Sequence, residues 1–207
     1  MMKDSLVPSG FESTSSGSNN TAASNYSQTN IQVAGVDEGD TVKNDGKYIY
    51  LLENGDVKIV EAYPPSEMKV VKTIEYDSNE FAPTELYLSG DRLAVIGRFY
   101  SNSSKGGIAS DATPQRIASY TMYRTRVDVY DVSNPTVPSL LRTSTFDGNL
   151  LSSRRIENRV YIVAQMSAPY WILDADGSTE DMLPRYDDSV SGVSDKMATC
   201  ADIRFFP

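Results

Sequence analysis

The chain has 207 residues, 19 basic and 28 acidic, for a net charge of −9 and a pI near 4.5. A surface of that sign repels phosphate backbones and anionic lipid, so nucleic acid is not expected as a partner. With no histidine and a single cysteine, Cys200, the chain cannot by itself assemble a Ser-His-Asp triad, a Cys-His pair, a His-ligated zinc or an internal disulfide.

From Ser9 to Asn30 the residues are mostly Ser, Thr, Asn, Gly and Ala. Such a stretch buries too little surface to offset the entropy of ordering, so residues 1–28 are expected to form a disordered, flexible linker ahead of a folded part over residues 29–207. The start, Met1 to Gly10, lacks the apolar centre of a signal peptide, and no apolar run approaches the roughly 20 residues that span a bilayer. Neither an export signal nor a transmembrane segment is therefore expected.

Beyond the linker, short runs rich in Val, Ile, Tyr and Thr alternate with turn residues, which predicts an all-β chain. Strands are expected at Thr41 to Asn44, Lys47 to Leu52, Asp56 to Glu61 and Lys69 to Tyr76, with Asn44-Asp45-Gly46 and Glu53-Asn54-Gly55 as turns. A second set follows at Thr84 to Leu88, Arg92 to Arg98, Arg124 to Asp131 and Ser139 to Phe146. A third begins at Leu150 to Ile156 and Arg159 to Gln165, and Ile203 to Phe206 could open its next strand.

These sets are copies of one repeat. Val57 to Tyr76 aligns without a gap to Val127 to Phe146, keeping the apolar alternation, Pro65 over Pro135, Lys72 over Arg142 and Tyr76 over Phe146. Gly46 to Leu51 resembles both Asp91 to Ile96 and Asn158 to Val163. Lys47 to Arg92 is 45 positions, the length of a propeller blade. Val57 to Val127 is 70, which leaves an insertion of 25 residues in the second unit. The expected fold is a β-propeller of four-stranded antiparallel blades: blade 1 over about 41–76, blade 2 over about 84–146 with an insertion at 99–123, and the start of blade 3 over about 150–207 with an insertion at 166–201. About two and a half blades fall short of the roughly four to eight that close a ring, so the partners expected first are missing C-terminal blades of the same protein. Thr29 to Val33 is expected to pair with the last of them.

Asn30 to Tyr50, with Thr29-Asn30, the run Gly35 to Asp40 and the run Lys43 to Tyr50, resembles the signature that opens a bacterial and archaeal family of secreted proteins with a C-terminal β-propeller, distantly related to WD-type repeats. Leu183 to Tyr186 and Cys200 to Ile203 are similar to further stretches of that family, so the resemblance covers roughly Tyr26 to Pro207. It implies export or surface anchoring and a propeller that continues, and it implies no activity.

Asp37, Glu38 and Asp40, with Asp45 near them, form an acidic cluster ahead of the first strand. Calcium, which takes six to eight oxygens, is the cation such a cluster would suit, although acidic loops more often cap strands or pair with basic neighbours. No metal and no cofactor is assigned. Asp174 to Gly177 has the flavour of a calcium loop without its spacing and reads as a turn, while Cys200, lacking an activating histidine, reads as a small buried hydrophobe. No nucleophile elbow, phosphate loop or dinucleotide fingerprint is present, so no catalytic residue is named.

Both insertions connect second to third strands, and in an up-and-down blade those connections emerge on the same face as the approach to strand one. The ligand-binding face is thus expected to combine Asp37, Glu38 and Asp40 with aromatic side chains of the insertions, Tyr100, Tyr123, Tyr170, Trp171 and Tyr186. The function expected is an extracellular or cell-surface module for protein or glycan binding or scaffolding. The alternative is a carboxylate- or calcium-dependent hydrolase or lyase acting at the propeller face.

Overall fold

A computed structural model describes residues 35–100, 123–167 and 178–204. The linker, the strand expected at Thr29 to Val33, Tyr170, Trp171, the Asp174 to Gly177 turn and the strand expected to run on to Phe206 lie wholly or partly outside the described residues. Those described contain thirteen strands and three short 3-10 turns. Among them no helix is long and apolar enough to cross a membrane.

The first unit is an antiparallel meander of β2 (Val42–Asn44), β3 (Tyr48–Glu53), β4 (Asp56–Glu61) and β5 (Lys69–Ile74). Its β3–β4 turn places Asn54 and Gly55 at φ 55° and 89°, the left-handed pair that matches the twist of a two-residue hairpin. The second unit is β6 (Phe81–Ser89), β7 (Arg92–Tyr100), β8 (Tyr123–Asp131) and β9 (Ser139–Asp147). In the third, β10 (Asn149–Ile156) and β11 (Arg159–Gln165) form a hairpin, and β1 (Val36–Glu38) lies on its inner edge. This is the stacked, four-stranded antiparallel architecture of a partial β-propeller, with no closed barrel among the described residues.

The segment expected as a loop within 166–201 contributes two strands instead. β12 (Arg185–Asp188) and β13 (Ser194–Lys196) join the second unit, where β12 pairs with β9 and makes a sheet of six strands. Sequence alternation does not announce Arg-Tyr-Asp-Asp as a strand. What seats it is the open edge of β9 together with hydrogen bonds made by its two aspartates.

Each sheet has a face turned toward the next unit and a face turned back. Tyr50, Val57 and Ile59, on the forward face of the first unit, pack with Phe81, Leu86, Leu93 and Val95 on the backward face of the second, all of them buried. Tyr76 closes this core from the rim, edge-on to Phe81 at 4.9 Å and donating its hydroxyl to Tyr130 at 3.0 Å. The same faces correct the 45-residue spacing. Tyr50 faces forward, whereas Val95 faces back, and it is Ala94 that lies beside the forward-facing Tyr87. The equivalent of Tyr50 is therefore Ala94, 44 positions on, because a slip of one residue turns every side chain of a strand to the other face.

Gly97 sets how closely β6 and β7 can lie. A Cβ there would sit 2.2 Å from the Ala82 carbonyl oxygen, which is backbone and cannot swing aside. Gly97→Ala is expected to destabilise the protein by about 1–3 kcal/mol, read as a lower urea midpoint at unchanged slope.

Candidate functional site

Of the acidic cluster ahead of the first unit, Asp37 is turned inward, Glu38 is half-buried and Asp40 is exposed. β1 runs antiparallel to β10 with Asp37 opposite Arg155 and Glu38 opposite Arg154, and Asp40 makes a bridge with Leu86 of β6. The Asp37 carboxylate accepts from Lys43 Nζ at 2.8 Å and from Arg155 Nε at 3.1 Å. Lys43 also donates to the Glu38 carbonyl at 2.7 Å, while the Glu38 side chain pairs with Arg154 at 3.2 Å. Asp40 accepts from the Thr41 amide at 2.7 Å. Beside these groups the Tyr87 hydroxyl donates to Ser153 at 2.6 Å, and Ser153 donates in turn to Glu85.

Two features of the expected binding face change as a result. Asp37 is buried and held by two cations, and among the described residues no three carboxylates or thiolates converge as a metal would require. Asp37 and Glu38 are also level with the β10–β11 turn, at the opposite end of the strands from the β7–β8 connection. Removing Asp37 leaves the buried Lys43 ammonium and the half-buried Arg155 guanidinium without their counter-charge. Asp37→Ala is expected to cost about 3–5 kcal/mol in chemical denaturation.

At the other end of the second unit the aromatic residues do meet. Tyr100 and Tyr123 are the last pair of the β7–β8 ladder, with ring centroids 6.5 Å apart and planes at 69°. The Arg98 guanidinium lies 5.5 Å over the Tyr123 ring, which is 47% exposed. The ladder puts Arg98, Thr125, Phe146 and Tyr186 in one cross-strand row and Tyr100 with Tyr123 in the next, all on the forward face. Three expected binding residues thus share a face and one end of a sheet, separately from Asp37, Glu38 and Asp40. Arg98 was not singled out from sequence, although its place two positions before Tyr100 on a strand is the signal that puts both on one face.

Polar contacts tie the strands together at this end. Arg124 bridges Asp147 at 2.8 Å and Asp187 at 2.6 Å, and the buried Thr125 donates to the Gly148 carbonyl at 2.8 Å. Asp188 accepts from the Ser191 amide at 2.8 Å, from Ser144 at 2.7 Å and from Arg142 at 2.6 Å. The Ser191 amide first, then Ser144 and Arg142, hold its carboxyl well below the usual carboxylate range. Burial works to raise the Asp187 carboxyl, but donors from Ser194, Arg124 and Thr145 outweigh it and leave it lowered. A depressed folded-state pKa gives stability that is present above the unfolded value and is lost as pH falls. Denaturant stability is accordingly expected to decline from about pH 5 toward pH 2, and Asp188→Asn to flatten part of that decline.

Stacked antiparallel four-stranded units with an aromatic end define a propeller-type module. A model of the β-propeller domain family matches residues 26–207, and the chain belongs to that family. It is similar, at 26% identity over 143 residues, to an uncharacterised protein of Methanocaldococcus jannaschii. The match covers 69% of this chain and 18% of that relative, so the chain spans only a small part of the relative's length. No solved structure matches the chain.

Proposed function

We propose that the protein is an extracellular or cell-surface propeller module that binds a protein or glycan ligand at the aromatic end of its second unit. The observation that carries this reading is the Tyr100–Tyr123 pair with Arg98 over the Tyr123 ring, an exposed ring in contact with both an aromatic edge and a cation. Such a ring offers stacking area at small entropic cost, and Arg98 adds planar hydrogen-bond donors. The resemblance of Asn30 to Tyr50 to exported proteins supports a place of action outside the cell.

The test is binding of the labelled protein to arrayed oligosaccharides and peptides, repeated with Tyr123→Ala and Arg98→Ala. Each substitution is expected to weaken binding about tenfold or more while leaving the melting temperature unchanged. Ligands held equally by wild type and both variants would move the site elsewhere. Chelator-sensitive hydrolysis of an arrayed glycan would favour the hydrolase alternative.

A further inference from the structure

The second unit shows how an outer strand of this protein takes on a further one. β9 pairs Ser144, Thr145 and Phe146 with Asp188, Asp187 and Tyr186 of β12, and the Asp188 carboxylate accepts from Arg142 at 2.6 Å. One position on, the Ser189 amide donates to the Thr143 carbonyl at 2.9 Å, and the Thr143 amide donates to the Ser189 hydroxyl at 2.9 Å. Both backbone groups of Thr143 thus point out of the sheet edge.

β5 is the copy of β9 in the first unit, and its outer edge has no strand partner among the described residues. The two strands agree in register. Thr73 lies opposite Lys58 as Thr143 lies opposite Asp128, Lys72 lies opposite Ile59 as Arg142 lies opposite Val129, and Val71 is the extra residue of a bulge as Leu141 is. Thr73 therefore turns its amide and carbonyl outward, and Lys72 stands where Arg142 holds the aspartate of β12. The other lysines of this unit are paired with carboxylates: Lys43 with Asp37, Lys47 and Lys69 with Glu61, and Lys58 with Glu53. Lys72 is exposed and has no carboxylate partner among the described residues.

We infer that the outer edge of β5 docks an acidic, extended segment of a partner protein. The segment adds to the first unit's sheet antiparallel, as β12 adds to the second's, and sets an aspartate or glutamate against Lys72. Main-chain bonds to the open edge supply affinity, and the charge at Lys72 supplies selection, because a basic segment in the same place is repelled. Met68 and Val70, both more than half exposed where the edge begins, add apolar contact. This edge is separate from the aromatic end of the second unit.

The probe is a synthetic peptide with the sequence of Leu183 to Gly192, which contains β12, added to the full chain. It is expected to bind one to one and to slow hydrogen exchange at the Thr73 amide, which exchanges rapidly in the free protein. Lys72→Glu is expected to weaken binding about tenfold or more at an unchanged melting temperature, and the same peptide with Asp188→Lys to bind that variant again. Arg142→Glu separates the two edges, since a peptide that merely displaces β12 from β9 would be lost on that substitution and kept on Lys72→Glu. Lys72→Gln substitutes for Lys72→Glu if that variant loses its β-type circular dichroism. A peptide that does not bind, one that binds wild type and Lys72→Glu alike, or a Thr73 amide already protected in the free protein would each overturn the inference.

Discussion

One carboxylate links the first unit to the third. Asp37 lies on the inner edge of the third unit's sheet, and its two cationic partners come from different units: Lys43 from the first and Arg155 from the third. The chain between Asp37 and Lys43 crosses the inner strand of the second unit, to which Asp40 is bridged. Apolar packing between neighbouring sheets is non-directional and fixes no unique rotation of one unit against the next. An ion triad with a defined register does, because a misplaced unit would leave the buried Asp37 and Lys43 without partners. The close fit of Gly39 against Glu85, where a Cβ would meet the carboxylate, shows how little space this segment leaves.

Around that fixed axis, the alternation of side chains decides what each unit can do. A strand offers one set of residues forward and the other back, and in the second unit both sets are used: Leu86, Leu93 and Val95 toward the first unit, Tyr87 and Glu85 toward the third. The forward face changes character along its length. Near the axis it is a hydrogen-bonded junction with the third unit, and at the β7–β8 end it becomes the Tyr100, Tyr123 and Arg98 surface. One sheet face thus serves both for internal packing and as the candidate for recognition.

How much of this was legible in the sequence follows from the range of each interaction. Strand β4 was readable because Asp56 to Glu61 alternates cleanly between two turn signals, and the Val57 to Tyr76 copy over Val127 to Phe146 was readable because it has no gap. The faces were less so. An ungapped match of Lys47 to Arg92 looks sound by composition, since Tyr, Leu, Ile and Val suit either side of a doubly covered sheet. Only contacts between units separate the two sides. The pairing of Asp37 with Arg155 spans 118 positions and carries no local pattern, which is why nothing in the sequence separates the buried Asp37 from the exposed Asp40. The strand Arg185–Asp188 was hidden for a related reason, because its seat is made by Ser144, Arg142 and Arg124 from another unit.

The position of β1 also bears on the order in which the molecule is made. The segment leaves the ribosome ahead of the three units it joins, yet its strand partner β10 and the guanidinium that holds Asp37 are translated more than a hundred residues later. At about 5–20 residues per second, that delay is on the order of ten seconds. The first unit's meander, whose contacts are local, can form within that time, while the inner edge stays open until β10 arrives. A segment made before all three units is therefore locked only after the third has been made, and its docking records that event.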